Sequence, residues 1–199
     1  MPPTGQGIAI GIANETSHEW SGSNAFFFSG KPGRITIPEF LGIDEAALFS
    51  ATKRTGRASG TVGVITFFIP DDDMTVAVMF SVPFSHLVYE NWWNAKVYRN
   101  KKEADEDMWS QMYYRQEPFK GDNGWHEKEI GEGYNVKGIM TSSNRCKLQL
   151  KIWKRESQDL VSCQRVFNLP RSVGQHTHSH QQIVIKETSE RLVVTSYPE

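Results

Sequence analysis

Hydrophobic and polar positions alternate through much of this chain. Ile8, Ile10 and Ile12 are separated by small residues, the period of a strand with one buried face. Residues 20–29 continue in a strand-like manner and end in Phe26-Phe27-Phe28. Thr61–Ile69 is rich in β-branched residues and phenylalanine, and Pro70-Asp71-Asp72-Asp73 reads as a turn after it. The next strand puts Val76, Val78, Phe80 and Val82 on one face and Thr75, Ala77, Met79 and Ser81 on the other. The two runs predict a hairpin with a solvated acidic turn. Residues 134–141 and 146–153 predict two more strands, joined at Ser142-Ser143-Asn144, with Cys146, Leu148, Leu150 and Ile152 facing one way. Lys31-Pro32-Gly33 has turn chemistry, and residues 34–37 read as a short strand stopped by Pro38. Residues 46–53 fit either strand or helix by composition and are read as strand.

The period changes once. Over residues 100–114, Ala104, Met108 and Met112 recur at four-residue steps, with Trp109 and Tyr113 beside them. Glu103, Asp105, Glu106 and Asp107 crowd the start, where negative charge complements a helix dipole. This stretch predicts a helix, ended by Pro118 and Gly121. The whole is a mainly β fold, a sandwich or a partly closed barrel. Its expected organisation is a disordered Pro/Gly-rich stub over residues 1–7, a β domain over 8–155, and a polar extension over 156–199 holding a loop and a hairpin.

Composition narrows the function. With 199 residues the chain can bury a core without disulfides or metals. A formal net charge of −1 leaves it without the basic footprint of a nucleic-acid binder. Cys146 and Cys163 fit no zinc spacing and leave two readings open, one bridge or two buried free thiols, of which the second is favoured. The start MPPTGQG shows no secretory h-region, and no apolar run is long enough to span a bilayer as a helix. No nucleophile elbow, phosphate loop or dinucleotide fingerprint is present, so no enzyme is read here. His176, His178 and His180 alternate in a polar tail and are read as solvated rather than as metal ligands. No cofactor is implied. Aromatic residues make up 12% of the chain and concentrate between Phe80 and Tyr114, which points to a use beyond core filling. Rings with polar tips suit a membrane–water boundary.

Four motifs in order carry a resemblance. Phe80-Ser81-Val82-Pro83-Phe84, Tyr89-Glu90-Asn91-Trp92-Trp93, residues 108–114 and Gly121-Asp122-Asn123-Gly124-Trp125-His126 resemble the actinoporins, the pore-forming cytolysins of sea anemones. Gly138-Ile139-Met140-Thr141-Ser142 and the isoleucine strand at Ile8 fit in the same order. The likeness covers residues 8–155. It implies a β-sandwich of about ten strands flanked by two short α-helices. It also implies recognition of phosphocholine headgroups on sphingomyelin membranes by a secreted protein, with self-association there into cytolytic pores.

The residues implied for the headgroup are Ser29, Val62, Ser81, Pro83, Tyr89, Trp109, Tyr113 and Tyr114, with Trp92 and Trp93 at the membrane surface. A quaternary ammonium is held by aromatic faces, and a phosphate by hydroxyl donors. Lys120-Gly121-Asp122 matches the family's adhesion-like tripeptide with Lys for Arg. The chain departs from the family pattern in its short N-terminal stub, which leaves no pore-lining helix, so lipid binding is the expected activity of this chain. It departs further in Val88 for an exposed Trp, Phe28 for Arg and Trp109 for Tyr. The alternative from another class is a soluble lectin-like or adhesion module built on a similar sandwich.

Overall fold

The computed structural model describes residues 6–56 and 58–155, together with strands at 182–188 and 191–197. The chain divides into two units, Met1–Gln158 and Asp159–Glu199. In the first, eleven strands form two sheets. The six-stranded sheet runs β3 (Lys31–Pro32), β4 (Ala46–Thr52), β1 (Gly7–Asn14), β11 (Arg145–Lys154), β10 (Tyr134–Met140), β9 (Trp125–Gly131). The five-stranded sheet runs β2 (Ser21–Ser29), β5 (Thr61–Ile69), β6 (Met74–Val82), β7 (Trp92–Arg99), β8 (Phe119–Lys120). Among the described residues, only β1 and β11 pair in parallel; the other pairings are antiparallel. In the second unit, β12 (Gln182–Thr188) and β13 (Arg191–Tyr197) form an antiparallel hairpin. The histidine run and Cys163 lie outside the described residues.

The alternating positions become the core. Ile8, Ile10 and Ile12 of β1, Leu148, Leu150 and Ile152 of β11, and Val76, Val78, Phe80 and Val82 of β6 all belong to one cluster between the sheets. Trp93, Ala95 and Val97 of β7 complete it. Each large apolar side chain so buried contributes about 1.5–3 kcal/mol. The middle strands β5 and β6 are buried on their second face too, because a helix, α1 (Glu106–Tyr114), lies over them. Val64, Ala77 and Met79 meet Met108, Trp109 and Met112 there in a second, smaller cluster.

The helix begins later than its periodicity suggests. Residues 100–105 are not helical. Two of their backbone N–H groups are claimed by strand side chains: Lys102 donates to Thr75 Oγ1 at 3.0 Å and Ala104 to Asn24 Oδ1 at 3.2 Å. Asp105 then caps the helix, accepting from the Met108 N–H at 2.7 Å. α1 is the one α-helix among the described residues, where two were expected; Pro70–Asp72 adds a 3-10 turn.

Other expectations shift. Lys31-Pro32 is an edge strand, where the missing proline N–H costs nothing, while residues 34–37 follow as irregular backbone. Gln6 and Gly7 are ordered rather than part of a disordered stub: the Gln6 carbonyl accepts from the Lys53 N–H at 3.1 Å, and Gly7 opens β1. The acidic turn is not simply solvated either. Asp72 is largely shielded and accepts from Lys154 Nζ at 2.7 Å and from the Tyr134 hydroxyl, joining the β5–β6 turn to the opposite sheet. Burial opposes its charge most strongly, but these two hydrogen bonds together with the charges of Lys154 and His18 outweigh it and hold the carboxyl below its ordinary range.

Candidate functional site

The outer face of the five-stranded sheet carries one continuous row. Ser29 pairs with Val62, Val62 with Ser81, Ser81 with Trp92, and Trp92 with Lys120. Five strands thus hand one residue each to a single line near one edge of the sheet. An irregularity in the β2–β5 register between Phe27 and Ser29 lets Phe28 reach the helix while Ser29 keeps its partner.

α1 stands beside this row and supplies the rings. Trp109 stacks on Phe28 with centroids 4.3 Å apart and planes 14° off parallel, and on Tyr113 at 5.5 Å and 22°. Tyr114 meets Tyr113 edge-on at 4.8 Å. Ser81 is a near neighbour of the Tyr113 phenol and favours its ionised form. Burial pushes that phenol above its ordinary value, with Tyr114 and Tyr89 close enough to add to the effect. Tyr113 and Tyr114 thus stand together beside Ser81, with Tyr89 within electrostatic reach; Tyr89 and Tyr114 are 63% and 70% exposed.

Other predicted positions play a different part. Trp93 is 0% exposed and packs on Phe119 at 4.8 Å, so it is core rather than membrane surface. Strand alternation explains this: Trp92 and Trp93 are neighbours in β7 and must face opposite ways. Trp92 is half-buried on the outer row. Trp109 is only 6% exposed and stacked against Phe28, so its ring braces the site rather than offering a free face. Ser29 donates its hydroxyl to the Gly60 carbonyl at 3.1 Å and frames the edge. Val62 packs partly buried against the smaller cluster, and Pro83 is half-buried at the end of β6.

The segment between β6 and β7 holds a feature that the motif reading passed over. Leu87 is 96% exposed, and Phe84 and Val88 are exposed beside it and Tyr89. This apolar tip is firmly rooted. The Asn91 amide donates to the Thr141 carbonyl at 2.7 Å and the Ser143 carbonyl at 3.1 Å, and its Oδ1 pairs with His86 Nε2 at 2.8 Å. A Leu-Val pair beside an aromatic, outside any alternating run, was the sequence signal for it.

The tripeptide Lys120-Gly121-Asp122 sits next to the root of this loop. A Cβ on Gly121 would come within 2.7 Å of the Asn91 Cβ, so the position needs glycine for close approach. Both charges have partners: Lys120 pairs with Glu90 at 2.5 Å, and Asp122 with His126 at 2.9 Å. Among the described residues, no group of three or more His, Cys, Asp or Glu side chains is arranged to hold a metal. No described helix is long and apolar enough to cross a membrane.

Comparison with known proteins agrees with this geometry. A solved structure titled as the lipid binding protein Nakanori shares the fold at a TM-score of 0.61, with 17% identity over 75% of this chain and 71% of that one. Nigrelysin of Anthopleura nigrescens is 44% identical over 148 residues, covering 74% of this chain and 68% of its own. DELTA-actitoxin-Ucs1a of Urticina crassicornis is 43% identical over 146 residues, and this match spans 73% of the present chain and 65% of the toxin. DELTA-stichotoxin-Hcr4a of Radianthus crispa is 42% identical, with 73% and 82% covered. The chain thus spans about two thirds of the length of the first two relatives. The family model for the sea anemone cytotoxic protein matches residues 4–154. On this evidence the chain belongs to the sea anemone cytotoxic protein family, the actinoporins.

Proposed function

We propose that this protein binds membranes through phosphocholine headgroups, sphingomyelin above all, and acts as a cytolysin after self-association on the target bilayer. The observation that carries the reading is the placement of Tyr113 and Tyr114 beside Ser81, with Tyr89 within electrostatic reach, next to an exposed apolar tip. The tyrosine rings give a choline group aromatic faces, each contact worth about 0.5–2 kcal/mol. The phenols and Ser81 give a phosphate its donors. Phe84, Leu87 and Val88 enter the interfacial region, and Trp92 lies at headgroup depth. Ser29, Val62, Pro83 and Trp109 shape the cage from behind. Such a protein works outside the cell that makes it. Its relatives, named as toxins, and its structural neighbour, a lipid binding protein, support membrane binding.

The sandwich by itself serves many binding modules, so the lectin-like alternative has no observation of its own. Lys120-Gly121-Asp122 favours a structural turn over adhesion, since both charges are already paired.

Flotation with liposomes tests the reading. Sphingomyelin vesicles carry the protein upward and free phosphocholine competes it off. Protein that stays at the bottom, or floats undisturbed by phosphocholine, overturns the headgroup assignment. Dye release from the same vesicles, measured separately, reports the lytic step.

A further inference from the structure

The site depends on a helix that could not hold its shape alone. α1 has nine residues, well below the length at which an isolated helix is stable in water. Tyr113 and Tyr114 are its last two residues, where fraying begins. The Gln111 carbonyl accepts from the Arg115 N–H at 3.0 Å, the carbonyls after it have no partner within the helix, and the last turn itself holds no basic residue, the exposed Arg115 following at the C-cap.

Both needs are met from outside the helix. Asn94, fully buried on β7, donates through Nδ2 to the Met112 carbonyl at 2.8 Å and the Gln116 carbonyl at 3.1 Å. Its Oδ1 accepts from Lys128 Nζ at 2.6 Å and from the Ala95 N–H at 2.9 Å. Every valence of that amide is used. Lys128 comes from β9, a strand of the other sheet. Its ammonium also reaches the Gln116 and Glu117 carbonyls at 3.4 and 3.5 Å and lies 4.9 Å from the Phe119 ring centroid. Beside the exposed Arg115 at the C-cap, the opposite sheet thus supplies a second, half-buried cation at the helix end. Desolvation lowers the Lys128 pKa, with Lys96 adding to the effect and Glu117 opposing it. The ammonium is held out of water by this arrangement rather than resting on the surface.

We infer that Asn94 and Lys128 are positioning residues for the aromatic site: together they clamp the last turn of α1 so that Tyr113 and Tyr114 stand over Ser81. They touch no ligand themselves. The inference rests on the headgroup reading for its functional consequence and on geometry alone for the clamp. It separates two roles on one helix, since Met108 and Met112 hold α1 down while Asn94 and Lys128 set how its end is turned.

The test compares the full chain with Lys128→Met, Lys128→Arg and Tyr113→Phe. Sphingomyelin-vesicle affinity, thermal unfolding and the near-UV circular dichroism of the Trp109–Tyr113 stack are recorded for each. Lys128→Met is expected to weaken vesicle binding by about tenfold at temperatures where far-UV spectra show full folding. It also changes the near-UV signature, which a loss of stability alone does not do below the transition. Lys128→Arg keeps the cation and restores most of both. If Lys128→Met leaves the near-UV signature and the affinity unchanged, the clamp is refuted. If the unaltered protein ignores the vesicles while Lys128→Met still changes the near-UV signature, the clamp stands and the headgroup reading falls.

Discussion

The two apolar clusters of this molecule are built on opposite principles. The large one, between the sheets, is made mostly of strand residues at every second position, nearly all of them fully buried. The small one, beneath α1, is made of Val64, Ala77 and Met79 against two methionines and a tryptophan, and it grades outward through Phe28 and Tyr113 to exposed tyrosines. The first gives the domain its stability. The second is a plinth that orders rings at the surface. The difference teaches that aromatic density in a sequence does not by itself mark a site; what matters is which cluster each ring joins.

Adjacent tryptophans give the hardest test of that division. Trp93→Ala removes a fully buried ring from the large cluster and should cost about 3–5 kcal/mol in a denaturant titration. Trp92→Ala, one residue away on the outer row, should cost less than about 1 kcal/mol in the same titration and weaken vesicle binding instead. Equal stability losses would erase the distinction between the faces.

Next in size is the polar node that ties the sheets. Asp72→Asn removes a carboxylate bonded to Lys154 and Tyr134 and should destabilise the fold by about 2 kcal/mol at neutral pH. Because the folded carboxyl sits below its ordinary value, the unfolded chain takes up the proton first. The stabilisation is therefore present above about pH 4 and is lost as pH falls through the folded value. Melting curves against pH should show the two proteins converging at the acid end. Tyr134 works in the other direction: its phenol is raised, first by burial and then by Asp72, so its contribution is lost as pH climbs beyond about 10.

The exposed side of the comparison is sharpened by smaller changes. Tyr89→Phe combined with Tyr113→Phe deletes two hydroxyls and keeps both rings. It should weaken sphingomyelin-vesicle binding by about 1–3 kcal/mol with an unaltered melting temperature. Unchanged binding would move the headgroup elsewhere. Leu87→Ala trims the loop tip, and we expect about 1 kcal/mol of lost vesicle affinity, again with no effect on melting.

The strands of the large cluster were plain in the residue pattern, because alternation is all that an antiparallel sheet with one buried face requires. β5 and β6 begin and end within a residue of where their apolar runs do. β7 was obscured. Trp93, Ala95 and Val97 do alternate, but Trp92 and Tyr98 on the outer face make both faces look apolar. β9 was hidden for a related reason: Glu127, Lys128 and Glu129 dominate an edge strand with little to bury. The aromatic site was legible only through family likeness, since Ser29, Val62, Ser81 and Trp92 are far apart in sequence and meet through strand register. Lys128 left no local trace, because its reason for being there is a helix end on the other sheet.

The row from Ser29 to Lys120 has a corollary. Each strand contributes one outward residue to it, while the inward neighbours of that residue keep the sandwich together. Replacing an exposed member of that row therefore changes the surface while the inward-facing side chains stay as they are. The same arrangement exposes a weakness: an insertion or deletion inside any one of those strands would carry its member to the wrong side and break the line at once.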